Sequence, residues 1–278
     1  MLINLIGSEG FIGKAIKKNS GKLKLKCWSH SYENVNNRFN LFEKDSWKNL
    51  LNSSPETVLL LSWPGLPNYN KNYHLTRNLP FFIEFVEALI NAGCKNIIVS
   101  GTCYEYGNVN GCLEENQKVD PNNAYAIAKD ALRRNVQYIC EKNNVRWVWV
   151  RLFYPFGLDQ NPLSLFPSLV KAINENKKEF NISSGNQKRD FISSDKVALN
   201  LLFLCINLEA KGIYNCGSGM PLSIYEFVKK IVKENNSSIF IKKGVFPDRI
   251  GEPKEFWADM RKFNLLLKNS NLFNNASS

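Results

Sequence analysis

Short runs of strand character punctuate the first half of this chain: Leu2 to Ile6, Leu23 to Trp28, Val58 to Ser62, Asn96 to Ser100 and Val145 to Val150. Apolar residues fill most of their positions, as in strands buried within a parallel sheet. Between them, apolar side chains recur at helical spacing, notably in Phe81 to Ala92 and from Asn122 to Asn143. That spacing predicts helices. Strand and helix in alternation imply a parallel sheet with right-handed crossovers. The expected fold class is α/β, a Rossmann-type doubly wound parallel sheet. After Gly157 the pattern changes. A helix at Leu165 to Asn174, the segment around Arg189 and a helix from Ile224 to Asn235 predict a smaller C-terminal α/β lobe. The expected division is a main domain of residues 1–157 and a lobe of 158–278 that partly returns to the main domain. No internal repeat is evident, and the mostly polar tail from Asn269 to Ser278 is expected to be loose.

The first strand runs directly into Gly7-Ser8-Glu9-Gly10-Phe11-Ile12-Gly13, and Lys14 to Lys18 follows with helical character. Strand, glycine turn and helix in that order suit a dinucleotide pyrophosphate. Gly7 would allow the tight turn, Gly10 a close approach of backbone to phosphate, and Gly13 close packing of helix on strand. N–H groups at the helix start, among them those of Phe11 and Ile12, would face the phosphate charge. Farther on, Tyr125 and Lys129 stand four apart in the predicted helix and share one face. An ammonium beside a phenol favours the phenolate, which suits an acid–base group working near neutral pH. The spacing alone also fits an aromatic ring packed under the stem of a lysine.

Taken in order, these features resemble the extended short-chain dehydrogenase/reductases, in the NAD-dependent epimerase/dehydratase family of nucleotide-sugar enzymes. Asn78 stands where that family has an asparagine in the helix before the fourth strand, and the resemblance implies that it contacts the cofactor. Thr102, in Gly101-Thr102-Cys103-Tyr104-Glu105-Tyr106-Gly107, stands where it has its catalytic Ser or Thr. Arg151 to Gly157, Gln187 to Ile192, Tyr214 to Gly217 and Arg249 to Pro253 match later signatures. The resemblance implies a catalytic set of Thr102, Tyr125 and Lys129. It implies substrate contacts from Thr102, Tyr104, Tyr154, Gln187, Arg189 and Arg249, the two arginines on a nucleotide diphosphate. For Arg189 the competing expectation is a structural ion pair with Asp190 or Asp195. Lys129 would hold the nicotinamide ribose and lower the pKa of Tyr125. A homodimer is expected by the same analogy.

The second strand ends in Trp28-Ser29-His30-Ser31, with no carboxylate to select NAD(H) through the ribose hydroxyl and no arginine at that point. Ser29, His30 and Ser31 would accommodate a 2′-phosphate, so NADP(H) is favoured and NAD(H) is the alternative. Asn40 and Leu41 fall where the family contacts the adenine. Cys103 and Tyr104 replace the Asp-Glu pair of a 4,6-dehydratase, and alternation along an extended segment would turn Glu105 to the other side. The segment resembles the 4-ketoreductase branch, which reduces nucleotide-linked 4-keto-6-deoxyhexoses. A nucleotide-sugar 4-epimerase is the alternative, and a non-catalytic dinucleotide sensor is a further one.

Composition narrows the field. Two histidines, His30 and His74, are too few for an expected His-based metal site or catalytic triad. Seven cysteines without a Cys-x-x-Cys pair are expected as reduced thiols in a cytoplasmic protein, with Cys103 buried and inert. The net charge of +11 is dispersed and accompanies no nucleic-acid motif, so nucleic acid is not expected as a partner. Such a field would still attract a nucleotide sugar. No apolar run approaches the ~20 residues of a membrane span. The chain enters its first strand at once, leaving no expected room for a signal peptide.

Overall fold

A computed structural model describes residues 1–30, 37–248 and 252–270. Six parallel strands form the main sheet: β1 (Leu2–Ile6), β2 (Lys24–Trp28), β3 (Thr57–Leu60), β4 (Asn96–Thr102), β5 (Arg146–Leu152) and β6 (Gly212–Cys216). Their order across the sheet is β6-β5-β4-β3-β1-β2. The chain leaves β1 toward β2 on one side and resumes at β3 on the other. The order therefore reverses between β1 and β3, which opens a crevice at the carboxyl ends of the strands.

Alternation along the strands sends side chains to two separate cores. Val58, Leu60, Ile97, Val99, Trp147 and Trp149 meet helices α2 (Leu79–Asn91) and α3 (Ala124–Lys142) through Phe82, Phe85, Leu132 and Val136. Leu59, Ile98, Val148 and Val150 point the other way, to Ile16 of α1 (Phe11–Asn19) and to Val197 and Leu201 of the helix Ser194–Ile206. This two-sided burial accounts for the near-continuous apolar runs of the sequence.

After residue 157 the chain serves two bodies. Helices Leu165–Asn174 and Ile224–Glu234 enclose a small core of their own around Leu169, Phe227 and Ile231. Ser194–Ile206 and β6 instead pack with the main sheet. Among the described residues no helix is long and apolar enough to cross a membrane.

Candidate active site

The glycine turn shapes one end of the crevice. Gly7 has φ +89°, a left-handed conformation, and a Cβ there would stand 2.9 Å from the Ser62 nitrogen. A Cβ on Gly13 would lie 2.2 Å from the Gly7 oxygen and 2.7 Å from Ser8. Gly10 differs. It is the N-cap of α1, and a Cβ there would meet only the Gly7 oxygen, at 3.3 Å, so its Cα borders open space. Among the described residues no side chain caps the first turn of α1. Gly10 brings no side chain to cap the helix, and an N-terminus of this kind can offer its free N–H groups to a phosphate. This cradle fits a dinucleotide pyrophosphate. Gly13→Ala is expected to push α1 off the turn, an overpacking cost of about 1–3 kcal/mol. Titration of NAD(P)H fluorescence should show Kd raised roughly ten-fold, since a decade is about 1.4 kcal/mol. An unchanged Kd would remove the need for glycine at that position.

A cleft of about 740 Å³ runs from this turn over the ends of β2, β3, β4 and β5. Gly7, Gly10, Phe11, Ile12, Gly13, Ser29, His30, Asn40 and Leu41 line it, as do Thr102, Tyr104, Tyr125, Lys129 and Tyr154. Ser31 and Arg249 lie outside the described residues. The strand end also has an arginine that the linear sequence hides. Arg38 pairs with Ser29 in a parallel bridge, and its guanidinium is bound to Glu43. Asn40, beside it, donates to the Glu43 carboxylate at 2.7 Å.

Asn78 is placed differently from expectation. It is 1 % exposed, ends a single π-helical turn (His74–Asn78), and donates to the Pro64 carbonyl at 2.8 Å. It therefore holds the segment after β3 rather than lining the cleft. That segment supplies Ser62, Trp63, Leu66 and Tyr69 to the wall, none of them anticipated from the sequence. The only available signal was position, because residues just beyond a strand's carboxyl end face the crevice.

Three side chains converge at the far end. Thr102 closes β4, while Tyr125 and Lys129 share the buried face of α3. Asn123 caps that helix through Ala126 N–H, and Tyr125 N–H donates to the Tyr69 carbonyl at 2.9 Å. Lys129 Nζ donates to the Ser100 carbonyl at 2.6 Å and lies 4.3 Å from the Trp63 ring centre and 5.3 Å from that of Trp149. The expected lowering of Tyr125 by Lys129 is not found. Burial pushes the phenol far above the ordinary tyrosine range, Tyr69 and Glu105 add to this, and a hydrogen bond with Thr102 opposes it. Burial also brings Lys129 down to about 7, opposed by the charge of Glu105. The physical reason is common to both: a dry pocket disfavours whichever form is charged. A protonated, buried phenol beside a threonine hydroxyl can give a proton to a carbonyl oxygen.

The expected diphosphate site reads as an ion pair. Arg189, 2 % exposed, binds Glu252 at 2.9 Å, Tyr154 Oη at 3.0 Å and the Gln187 side chain at 3.3 Å. Neither Arg189 nor Gln187 lines the cleft. The partner is also neither Asp190 nor Asp195. Asp190 accepts from Ser218 N–H and Oγ at 2.6 Å and from Gly219 and Ala258 N–H at 3.0 Å, and Asp195 pairs with Lys18 at 2.9 Å. Tyr154 links Arg189 to the wall, its hydroxyl 3.4 Å from that of Tyr104. Burial pushes the Cys103 thiol up, which suits the expected inert role.

A family model described as NAD dependent epimerase/dehydratase family matches residues 3–217. The dTDP-6-deoxy-L-talose 4-dehydrogenase (NAD(+)) of Aggregatibacter actinomycetemcomitans is 30% identical over 271 residues, 92% of this chain and 99% of that protein. Among solved structures, UDP-glucuronic acid 4-epimerase from Bacillus cereus, in complex with UDP-glucuronic acid and NAD, superposes with a TM-score of 0.81 at 22% identity, covering 97% of this chain and 94% of that one. RMD from Pseudomonas aeruginosa, complexed with NADPH, superposes with a TM-score of 0.79 at 19% identity, covering 95% and 91%.

Proposed function

The chain belongs to the NAD dependent epimerase/dehydratase family of nucleotide-sugar enzymes, and from that premise we propose that it reduces the C4 ketone of a nucleotide-linked 4-keto-6-deoxyhexose. One observation carries this reading. The corner of the cleft that holds Thr102 and Tyr125 is walled by Cys103, Tyr104, Tyr69 and Tyr154, with no carboxylate among the described lining residues there. Glu9, the one described carboxylate on the cleft wall, sits at the glycine turn. A dehydratase needs an acid–base pair to remove water from the sugar, whereas a ketone reduction needs one proton and one hydride. The related 4-dehydrogenase supports the assignment, because a 4-dehydrogenase and a 4-ketoreductase run one equilibrium in opposite directions.

In this reading the ketone oxygen rests between Thr102 and Tyr125. Thr102 polarises it, and Tyr125 gives the proton that completes the alcohol. Bound NAD(P)H would supply the hydride. Lys129 would hold the cofactor ribose, and Gly7, Gly10, Phe11, Ile12 and Gly13 its pyrophosphate. Ser29, His30 and Arg38 at the strand end favour NADP(H) over NAD(H), since no described carboxylate lines that part of the cleft. Arg189 would take the substrate diphosphate by exchanging its Glu252 partner for phosphate oxygens. Arg249 is proposed beside it from the sequence signature alone.

The test is NADPH oxidation against a panel of CDP-, dTDP-, UDP- and GDP-linked 4-keto-6-deoxyhexoses, with NADH in parallel. Stoichiometric consumption with one of them is expected. No oxidation with any, together with NAD-dependent isomerisation of an ordinary nucleotide sugar, would replace reductase by epimerase.

A further inference from the structure

Glu105 lies behind the cleft wall, the side to which alternation assigns it, but it reaches that place by another path. The segment after Thr102 is not extended but closes into a 3-10 turn over Cys103–Tyr106. Thr102 Oγ1 accepts from Tyr104 N–H at 3.3 Å, and Glu105 Oε1 reaches back to Thr102 N–H at 2.9 Å, a reciprocal cap. Glu105 is fully buried behind the cleft wall. Its carboxylate also accepts from Trp149 Nε1, at 2.9 and 3.1 Å, and from Arg151 Nε at 2.8 Å. Arg151 is itself 1 % exposed. Gly101 makes the arrangement possible, because a Cβ there would stand 2.1 Å from Trp149 Nε1 and 2.7 Å from Glu105 Oε1.

Burying an ion pair rarely stabilises a fold more than apolar residues of the same size would. What such a pair can provide is a fixed position. Each end of this network touches the reacting corner. One end is the backbone of Thr102. The other is the indole of Trp149, whose face lies near the ammonium of Lys129. We propose that Glu105 is a positioning residue for the reduction: its buried carboxylate, anchored by Trp149 and Arg151, fixes Thr102 through the backbone N–H. The inference rests on the reading of Thr102 as the group that polarises the ketone. The negative charge of Glu105 also favours the protonated form of Tyr125 and partly opposes the burial that draws Lys129 down.

The experiment compares Glu105→Gln, Thr102→Ala and the double variant with the unmodified enzyme, by kcat, sugar KM and NADPH Kd, below the melting temperature of each. Glu105→Gln is expected to lower kcat roughly ten-fold or more while KM and Kd stay within about three-fold. The double variant is expected to lose little beyond Thr102→Ala alone, since both act through one hydroxyl. A glutamine amide would confront the Arg151 guanidinium. If Glu105→Gln does not fold, Glu105→Gln/Arg151→Met removes that clash and takes the same assays with the same expectation. Near-normal kcat in the folded Glu105 variant beside an impaired Thr102→Ala would overturn the inference and leave the Thr102 reading standing. Losses that add in the double variant would also overturn it. Near-normal kcat in Thr102→Ala would overturn that reading, and the inference with it.

Discussion

Tyr125→Phe is expected to lower ketone reduction by ~10³-fold or more, within the range that a positioned general acid supplies, and to leave the NAD(P)H Kd nearly unchanged. The hydroxyl is the only part removed, and the ring keeps its contacts with Trp63, Tyr69 and His74. The electrostatics give the result its direction. Burial raises the phenol far above neutrality, so Tyr125 carries its proton throughout the physiological range. That is the form needed to protonate a nascent alkoxide. Thr102 would still polarise the ketone in the variant, so residual activity above background is expected. Activity within a few-fold of the parent would sink the assignment of Tyr125 as the acid. A matching rise in Kd would instead show that the phenol holds the cofactor.

The sheet was legible because a strand buried on both faces has to be apolar at nearly every position. Val58 to Leu60 and Trp147 to Val150 show this, neighbours in each serving opposite cores. The sixth strand was less legible. Gly212 to Cys216 contains Tyr214 and Asn215, and Asn215 is buried where its amide donates to the Leu113 carbonyl at 2.7 Å. Polarity satisfied by a distant partner cannot be foreseen from the segment. The same holds at the site. Tyr125 and Lys129 were visible because helical spacing joins them. Arg38 comes to Ser29 through a pairing that no local pattern announces. Glu105 does turn away from the cleft, as alternation suggests, but by a turn in which it and Thr102 cap each other rather than by an extended path. Arg189 matched its signature, but Glu252, 63 residues away, decides its state in this structure.

Lys129→Met should separate stability from activity. The side chain is 2 % exposed, and burial draws its pKa down from the ordinary lysine value to about 7. An unfolded lysine stays protonated to near pH ~10. Between those values the unfolded chain binds the extra proton, so the folded form gains stability as pH rises from about 7 toward 10. Below about 7 the folded protein carries a buried cation and its full penalty, on the order of a few kcal/mol. Methionine fills similar space without the charge. At pH 6 the variant is expected to melt roughly 5 °C or more above the parent, on the scale of a few °C per kcal/mol for a chain of this size. That advantage should shrink toward pH 10. Catalysis should move the opposite way, with kcat/KM down ~10²-fold or more, because the proposed hold on the cofactor ribose needs the ammonium donors. In the parent enzyme the same deprotonation should lower kcat/KM above about pH 7. Thermal melts of both proteins from pH 6 to pH 10 check the first half, and a pH series of kcat/KM checks the second. A constant difference in melting temperature would mean that Lys129 is not cationic against a penalty, and the stabilising work would then belong to Ser100 and the two indoles alone.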